Sequence, residues 1–352
     1  MFDWISDETL VALVGLGGGV LLGLAARLGR FCTMGAIEDL LYGGSSVRMR
    51  MWVLAIGVAI MGTFGLSGLG VIELERSYYL SIEWMPLAMA LGGLMFGYGM
   101  ALAGNCGFGS IARLGGGDFR AFVIVVIMGV SAYAVLSGPL AFLRVQAFPQ
   151  AEVINTTPPG FAHLLHSWTG LPVAGLGIGI GAVVALGALA SRAMLSARKE
   201  IFWSVVVGGA ITSGWAGSYW VASQSFTPMP MVSHSFSAPV GEALLYAMTG
   251  SARALSFGVG SVAGVALGAF IGSLIKGHFR WEACEDPREL RRQILGAVLM
   301  GAGAVLALGC TIGQGLSAFS MLAYSAPLVF AAIFAGAALG LRQLIEGFQP
   351  AE

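Results

Sequence analysis

Apolar stretches close to twenty residues long recur along this chain, each set off from the next by a short polar or charged segment. They fall at roughly 8–28, 50–70, 84–104, 120–142, 170–191, 201–222, 253–274, 293–309 and 326–345. Each is long enough to cross a bilayer as a helix, so the pattern predicts about nine transmembrane helices. Three further segments are helical in pattern but too short to cross: 31–41 (FCTMGAIEDLL), with its start near Thr33, 107–117, and the Gly/Ser-rich run after Cys310. Each follows directly on a span and reads as a short re-entrant helix. Asp118 is placed to cap the fourth span. The loop from Gln224 to Val240, with Pro228, Pro230 and Pro239, is expected to fold over one face. Barrel strands would show polar and apolar residues alternating in segments of about ten; no such pattern is present.

A short unit repeats three times. Gly23–Gly35 (GLAARLGRFCTMG), Gly97–Gly109 (GYGMALAGNCGFG) and Gly301–Gly313 (GAGAVLALGCTIG) all fit G-x4-L-x3-C-x2-G. The second and third copies lie 204 residues apart without a gap. Three of the four cysteines thus hold one position in one repeated unit, which implies a shared role. A fourth copy is expected at Gly208–Gly217, with Ser213-Gly214-Trp215 where a cysteine could stand. Cys284 lies outside the repeat, in RWEACEDPREL, and reads as structural.

Composition turns the helix pattern into a membrane assignment. The chain is 57% hydrophobic and only 10% charged, against about 25% charged in soluble domains. It lacks the polar surface to cover a water-soluble globule of this size. Its 54 glycines suit helices that approach closely inside a bilayer. The start, MFDWISDE, is acidic, unlike the basic start of a cleaved signal peptide. Four cysteines without a C-x-x-C spacing argue against a zinc site or a dithiol motif. Net charge is zero and no long basic run points to nucleic acid. With the N-terminus outside and nine crossings, only Arg76, Arg144 and Arg253 of the 18 Lys and Arg fall outside. The positive-inside bias therefore predicts N-out and C-in.

The fold class that follows is an all-α integral membrane protein, residues 1–352 forming a single membrane domain. It divides into a half of about 8–143, a connecting helix of about 170–192 and a second half of about 201–345. A single connecting span inverts the second half, and inverted repeats with broken helices are how many transporters build a site at mid-membrane. Backbone leaves the helix inside a bilayer only where it is buried or faces a cavity. Each break here comes beside a cysteine, and each following short helix aims free N–H groups at one centre, which describes an anion site. A neutral thiol adds a weak donor and a soft, polarisable surface. Three thiols in line suit an anion with a soft sulfur end better than a hard oxyanion. Arg113 is a candidate anion attractor at the inner mouth, or a charge that only sets topology. Glu38 and Asp39 are expected to pair with Arg or face water. His163, His166, His234 and His278 all fall in loops, and Trp168, Trp215 and Trp220 read as interface anchors.

The segments FCTMGAIEDLLYG, LAGNCGFGSIARLGGGDFRA and ALGCTIGQGLSAFS, with RWE-x-C before the last, resemble the YeeE/YedE family of bacterial sulfur-compound transporters over nearly the whole chain. Asn105 departs from the family's pattern, which has a small residue before the cysteine. The resemblance implies uptake of thiosulfate across the inner membrane by a pseudo-symmetric protein with an hourglass-like interior. It implies a path along Cys32, Cys106 and Cys310, beside Thr33, Gly104, Asn105, Gly107, Gly309, Thr311 and Gln314. No catalytic residue, metal or cofactor is expected. A soluble TusA-like sulfurtransferase is an implied partner at the inner face around Arg280–Arg292. The alternatives are carriage of another sulfur or selenium species, a three-thiol Cu(I) path, and a membrane thiol oxidoreductase, which the missing C-x-x-C disfavours.

Overall fold

The computed structural model describes residues 6–82, 84–149, 158–283 and 286–347. Among these the chain is helical, with isolated β-bridges only. In chain order the helices that matter here are α1 (Asp7–Leu28), α2 (Thr33–Leu41), α3 (Val47–Gly68), α4 (Pro86–Ala103), α5 (Gly107–Gly115) and α6 (Phe119–Leu136). Then come α7 (Val173–Leu189), α8 (Arg198–Gln224), α9 (Ala238–Thr249), α10 (Phe257–Lys276), α11 (Pro287–Leu306), a π-helix at Gly313–Ala318 and α12 (Ser325–Glu346).

Among the described residues nine long helices stand where the apolar pattern placed them. Six of them, α1, α3, α4, α6, α10 and α12, are long and apolar enough to cross a membrane. The other three are weaker for visible reasons. α7 is apolar but only 17 residues long. α8 is diluted by Ser, Thr, Gly and Trp, and α11 opens on Arg288, Glu289, Arg291 and Arg292. Starts are fixed by side-chain caps, as expected at Asp118, whose carboxylate accepts from Arg120 N–H at 3.0 Å. Asp286 does the same for Arg288 N–H at 2.8 Å, and Ser6 and Ser256 cap α1 and α10.

Helix packing crosses the chain rather than following it. α1 lies along α10 and α3 along α8, while α4 lies along α12 and α11 along α6. α4 and α11 also pack on each other, as do α1 and α8, and α7 rests on α3. The first glycine of each repeated unit serves one of these crossings. Gly23 faces the α10 backbone at Val265, Gly97 faces α12 at Ile333, and Gly301 faces α6 at Met128. A side chain there would collide with backbone, so these contacts depend on glycine. Across α4 and α11, Leu306 stands over Gly92 and Leu102 over Gly296.

Three expectations are corrected. α8 runs unbroken through Ser213-Gly214-Trp215, so no fourth break occurs there. Instead Ser213 Oγ bonds back to Ala210 O, and Trp215 is buried with its Nε1 donating to Ser320 Oγ at 2.9 Å, not anchored at an interface. The loop after α8 lies at the surface only in its first part, where Phe226 and Pro228 are exposed. Its later part, Ser233–Ser237, runs inward, and His234 and Phe236 are wholly buried. Cys284 lies outside the described residues.

Candidate functional site

Each repeat cysteine stands between the end of a long helix and the start of a short helical segment. Two residues before each one, the backbone turns left-handed: φ is 56° at Arg30, 75° at Gly104 and 56° at Leu308. That conformation ends the helix and redirects the chain. Gly104 adopts it freely, whereas at Arg30 and Leu308 it costs about 1–2 kcal/mol each. Strain of this kind concentrates at functional positions.

The cysteines then cap the helices that follow. Cys106 Sγ accepts from Gly109 N–H and Cys310 Sγ from Gly313 N–H, both at 3.4 Å. Cys310 Sγ also accepts from Phe236 N–H at 3.2 Å and lies 3.8 Å from Ser235 Oγ. Cys32 precedes α2 without taking an N–H from it. Its sulfur meets the Asn105 carboxamide at 3.4 Å instead. The partners of that carboxamide fix its orientation. Its oxygen accepts from Arg113 Nε and, at 3.2 Å, from Arg113 Nη2, which turns its NH2 toward Cys32.

The last glycine of each unit makes room for a polar group. A Cβ on Gly109 would stand 2.8 Å from the Asn105 carboxamide, one on Gly35 2.5 Å from Arg48 Nη1, and one on Gly313 2.7 Å from Ser235 Oγ. In each copy that group comes from outside the short helical segment.

Two cavities approach the cysteines. One, of about 450 Å³, is lined by Cys32, Gly104, Asn105 and Gly109 together with Arg27, Arg30, Arg48, Arg113 and Lys276. Of the two acids foreseen near it, Asp39 pairs with Arg48 at 3.2 Å and Glu38 lines the wall. The other cavity, of about 490 Å³, is mostly apolar and ends at Leu308, Gly309, Ser235 and Tyr79, beside Cys310. Burial holds the Tyr79 phenol far above its ordinary range, so it stays a neutral hydroxyl. Cys106 lines neither cavity; it is fully buried, within electrostatic reach of both Cys32 and Cys310.

A family described as sulphur transport matches residues 28–339. The chain belongs to the sulphur transport family. It is 27% identical to the thiosulfate transporter TsuA of Escherichia coli (strain K12) over 331 residues, covering 89% of this chain and 88% of that one. It is 25% identical to the thiosulfate transporter TsuA of Spirochaeta thermophila over 325 residues, covering 88% and 92%. A shorter match, 26% over 152 residues, covers 43% of this chain and 35% of a probable transporter YedE of Salmonella typhimurium. As a member of the sulphur transport family the chain is a multi-pass membrane transport protein and not an enzyme.

The other residues foreseen for the path in this sulphur transport protein separate into two groups. Thr33 and Thr311 directly follow Cys32 and Cys310, and both hydroxyls are buried; that of Thr33 has no protein partner, while that of Thr311 faces the Cys106 sulfur. Gly104 and Gly309 reach the cavities. Gly107, by contrast, lies under the Met128 side chain and the Phe236 carbonyl. Gln314 is occupied structurally: its Nε2 donates to Ala307 O at 2.8 Å and Leu308 O at 3.3 Å, and its Oε1 accepts from Ser325 Oγ. It thereby satisfies carbonyls freed where α11 ends.

Sequence reasoning missed Ser235, Phe236 and Ser237. The signal was present in the 204-residue offset, which carries Cys32 onto Phe236 and Thr33 onto Ser237. Ser237 precedes α9 and, like Thr33, keeps a buried hydroxyl without a protein partner. Phe236 fills the fourth cysteine position with a ring against Phe108, centroids 5.4 Å apart. His234, also in this inserted segment, bonds Ser261 Oγ at 2.6 Å through Nδ1.

Proposed function

We propose that this protein takes up thiosulfate across the bacterial inner membrane along a path formed by Cys32, Cys106 and Cys310. The observation that carries the reading is the placement of the sulfurs. Cys32 opens to one cavity, Cys310 lies beside the other, and Cys106 is fully buried within electrostatic reach of both. An ion entering beside Cys310 meets the neutral hydroxyls of Ser235 and Tyr79, then the buried hydroxyl of Thr311, which faces the Cys106 sulfur. It passes Cys106 and emerges at Cys32 into a cavity rich in cations. Each thiol offers a weak hydrogen bond, and weak successive contacts let an ion leave as readily as it binds. The similarity to two proteins named thiosulfate transporter supports this choice of ion.

The charge distribution supports an N-terminus outside and a C-terminus in the cytoplasm, which puts the basic cavity on the inside. In that orientation the two halves are inverted repeats. A cytoplasmic TusA-like sulfurtransferase would then receive the ion near exposed Trp281 and the basic start of α11.

The test is uptake of labelled thiosulfate by cells without their own thiosulfate and sulfate importers. Cys32→Ala, Cys106→Ala and Cys310→Ala are each expected to lose most of the rate, while Cys284→Ala keeps it. Wild-type protein present in the membrane without uptake would exclude thiosulfate. Uptake undiminished in all three variants would exclude the thiol path.

A further inference from the structure

The Asn105 carboxamide touches two unlike groups: it presents its NH2 to the Cys32 sulfur and its oxygen to the Arg113 guanidinium. Asn105 itself is only 5% exposed and sits just before Cys106, whereas Arg113 belongs to the last turn of α5. Helical side chains lean toward the N-terminus, so Arg113 reaches back along α5. Gly109 lies one turn below it and has no Cβ to obstruct the meeting, since that space is taken by the carboxamide. Among the described residues no carboxylate forms an ion pair with Arg113. Its positive charge is therefore oriented without being cancelled. Both Arg113 and Cys32 line the same cavity.

We infer that Cys32 and Arg113 form a two-ended binding subsite for a thio-oxyanion, with Asn105 as the residue that positions them. This rests on the thiosulfate reading above. The guanidinium takes the oxygen end of the anion, for which its planar donor fork is suited. The thiol takes the terminal sulfur, matching a soft acceptor with a soft, polarisable partner. Because both groups are held by one small carboxamide, an anion of thiosulfate's size can touch both at once. Sulfate has no soft end and engages only the guanidinium. The subsite thus discriminates by requiring two kinds of end in one ion, not by charge alone. Asn105 does its part without adding charge: a carboxylate at that position would neutralise Arg113.

The test uses full-length protein in membranes and two readouts: the KM and Vmax of thiosulfate uptake, and protection of Cys32 from maleimide, followed on the Cys32 peptide by mass spectrometry. In the wild type, thiosulfate protects Cys32 at a concentration at least tenfold below that needed with sulfate. Asn105→Leu and Arg113→Gln raise the thiosulfate KM and the protecting concentration by about tenfold or more, the size expected for losing a charge-assisted hydrogen bond. Vmax changes much less, and Cys32 still reacts when no anion is added. Asn105→Gln, which keeps the amide, recovers part of the loss, whereas a merely structural role would leave protection tracking protein amount. If the Leu and Gln variants do not reach the membrane, Arg113→Lys decides, because it keeps the charge and loses the fork. Wild-type KM and protection in these variants would overturn the subsite while leaving thiosulfate transport intact. Absence of both uptake and protection in the wild type would remove the transport reading and the subsite with it.

Discussion

A sulfur that accepts an N–H bond still has its own S–H to give. Cys106 and Cys310 both accept from the N–H three residues ahead, so their capping role and a role toward an anion use different parts of the thiol. The buried hydroxyls of Thr33, Ser237 and Thr311 extend the same logic, since each sits at or before the start of a short helical segment; those of Thr33 and Ser237 have no protein partner, and that of Thr311 faces Cys106. The cysteine register and two of these hydroxyls were legible in the sequence. The meaning of the repeat's last glycine was not, because the group that needs its space differs from copy to copy: Arg48 and Ser235 come from other segments and Asn105 from inside the unit itself. That gives a test at one position. Gly109→Ala places a methyl 2.8 Å from the Asn105 carboxamide, and the expected outcome is a several-fold higher KM for thiosulfate with the amount of protein in the membrane unchanged. An unaltered KM would show that the carboxamide can move aside without consequence.

At the scale of the element, the recurring device is a long helix stopped by one left-handed residue and restarted by a cysteine. At Leu308 the device uses a residue that resists it. Leu308→Gly is expected to stabilise the folded protein by about 1 kcal/mol, read as a higher Tm in detergent; a lower Tm would mean that the leucine side chain is worth more at the cavity wall than its backbone costs. Apolar patterning located the nine long helices among the described residues, six of them by a bilayer-length apolar run and α7, α8 and α11 by a weaker one. The likeness to the repeated unit misplaced the fourth break because glycines serve two ends. Gly208 in α8 lies against Ala55 O and Val58 of α3 as a packing contact, so a glycine-rich likeness to the repeat marked a crossing, not a turn. The inserted Ser233–Ser237 segment has neither a cysteine nor an apolar run to announce it, and only the 204-residue offset points there.

At the scale of the molecule, charge and shape agree. The basic cavity gathers Arg27, Arg30, Arg48, Arg113 and Lys276 at one end, while the other cavity has Arg144 on its wall. In the orientation proposed from the positive residues, an anion moves toward the more positive end. The expected outcome for tags at the two termini in intact cells is that the N-terminal tag is digested by external protease and the C-terminal tag is protected. The reverse pattern would turn the basic cavity outward and make it an entrance. The sum of the charges was legible in the sequence, but their convergence beside Cys32 was not, since Arg27, Arg48 and Lys276 come from three different helices.

The crosswise packing also sets a timetable for synthesis. α1 finds its long partner α10, and α3 finds α8, only after the intervening chain has been made. At the usual ribosomal pace of about 5–20 residues per second, α1 waits roughly 10–50 s between leaving the ribosome and meeting Phe257–Lys276. During that interval Gly15, Gly19 and Gly23, which later fit against α10, face lipid or the insertion machinery. A nascent chain stopped after α7 would carry α1 and α3 without these companions. Assembly of the cysteine centre is therefore a late event that closes when the last third of the polypeptide arrives.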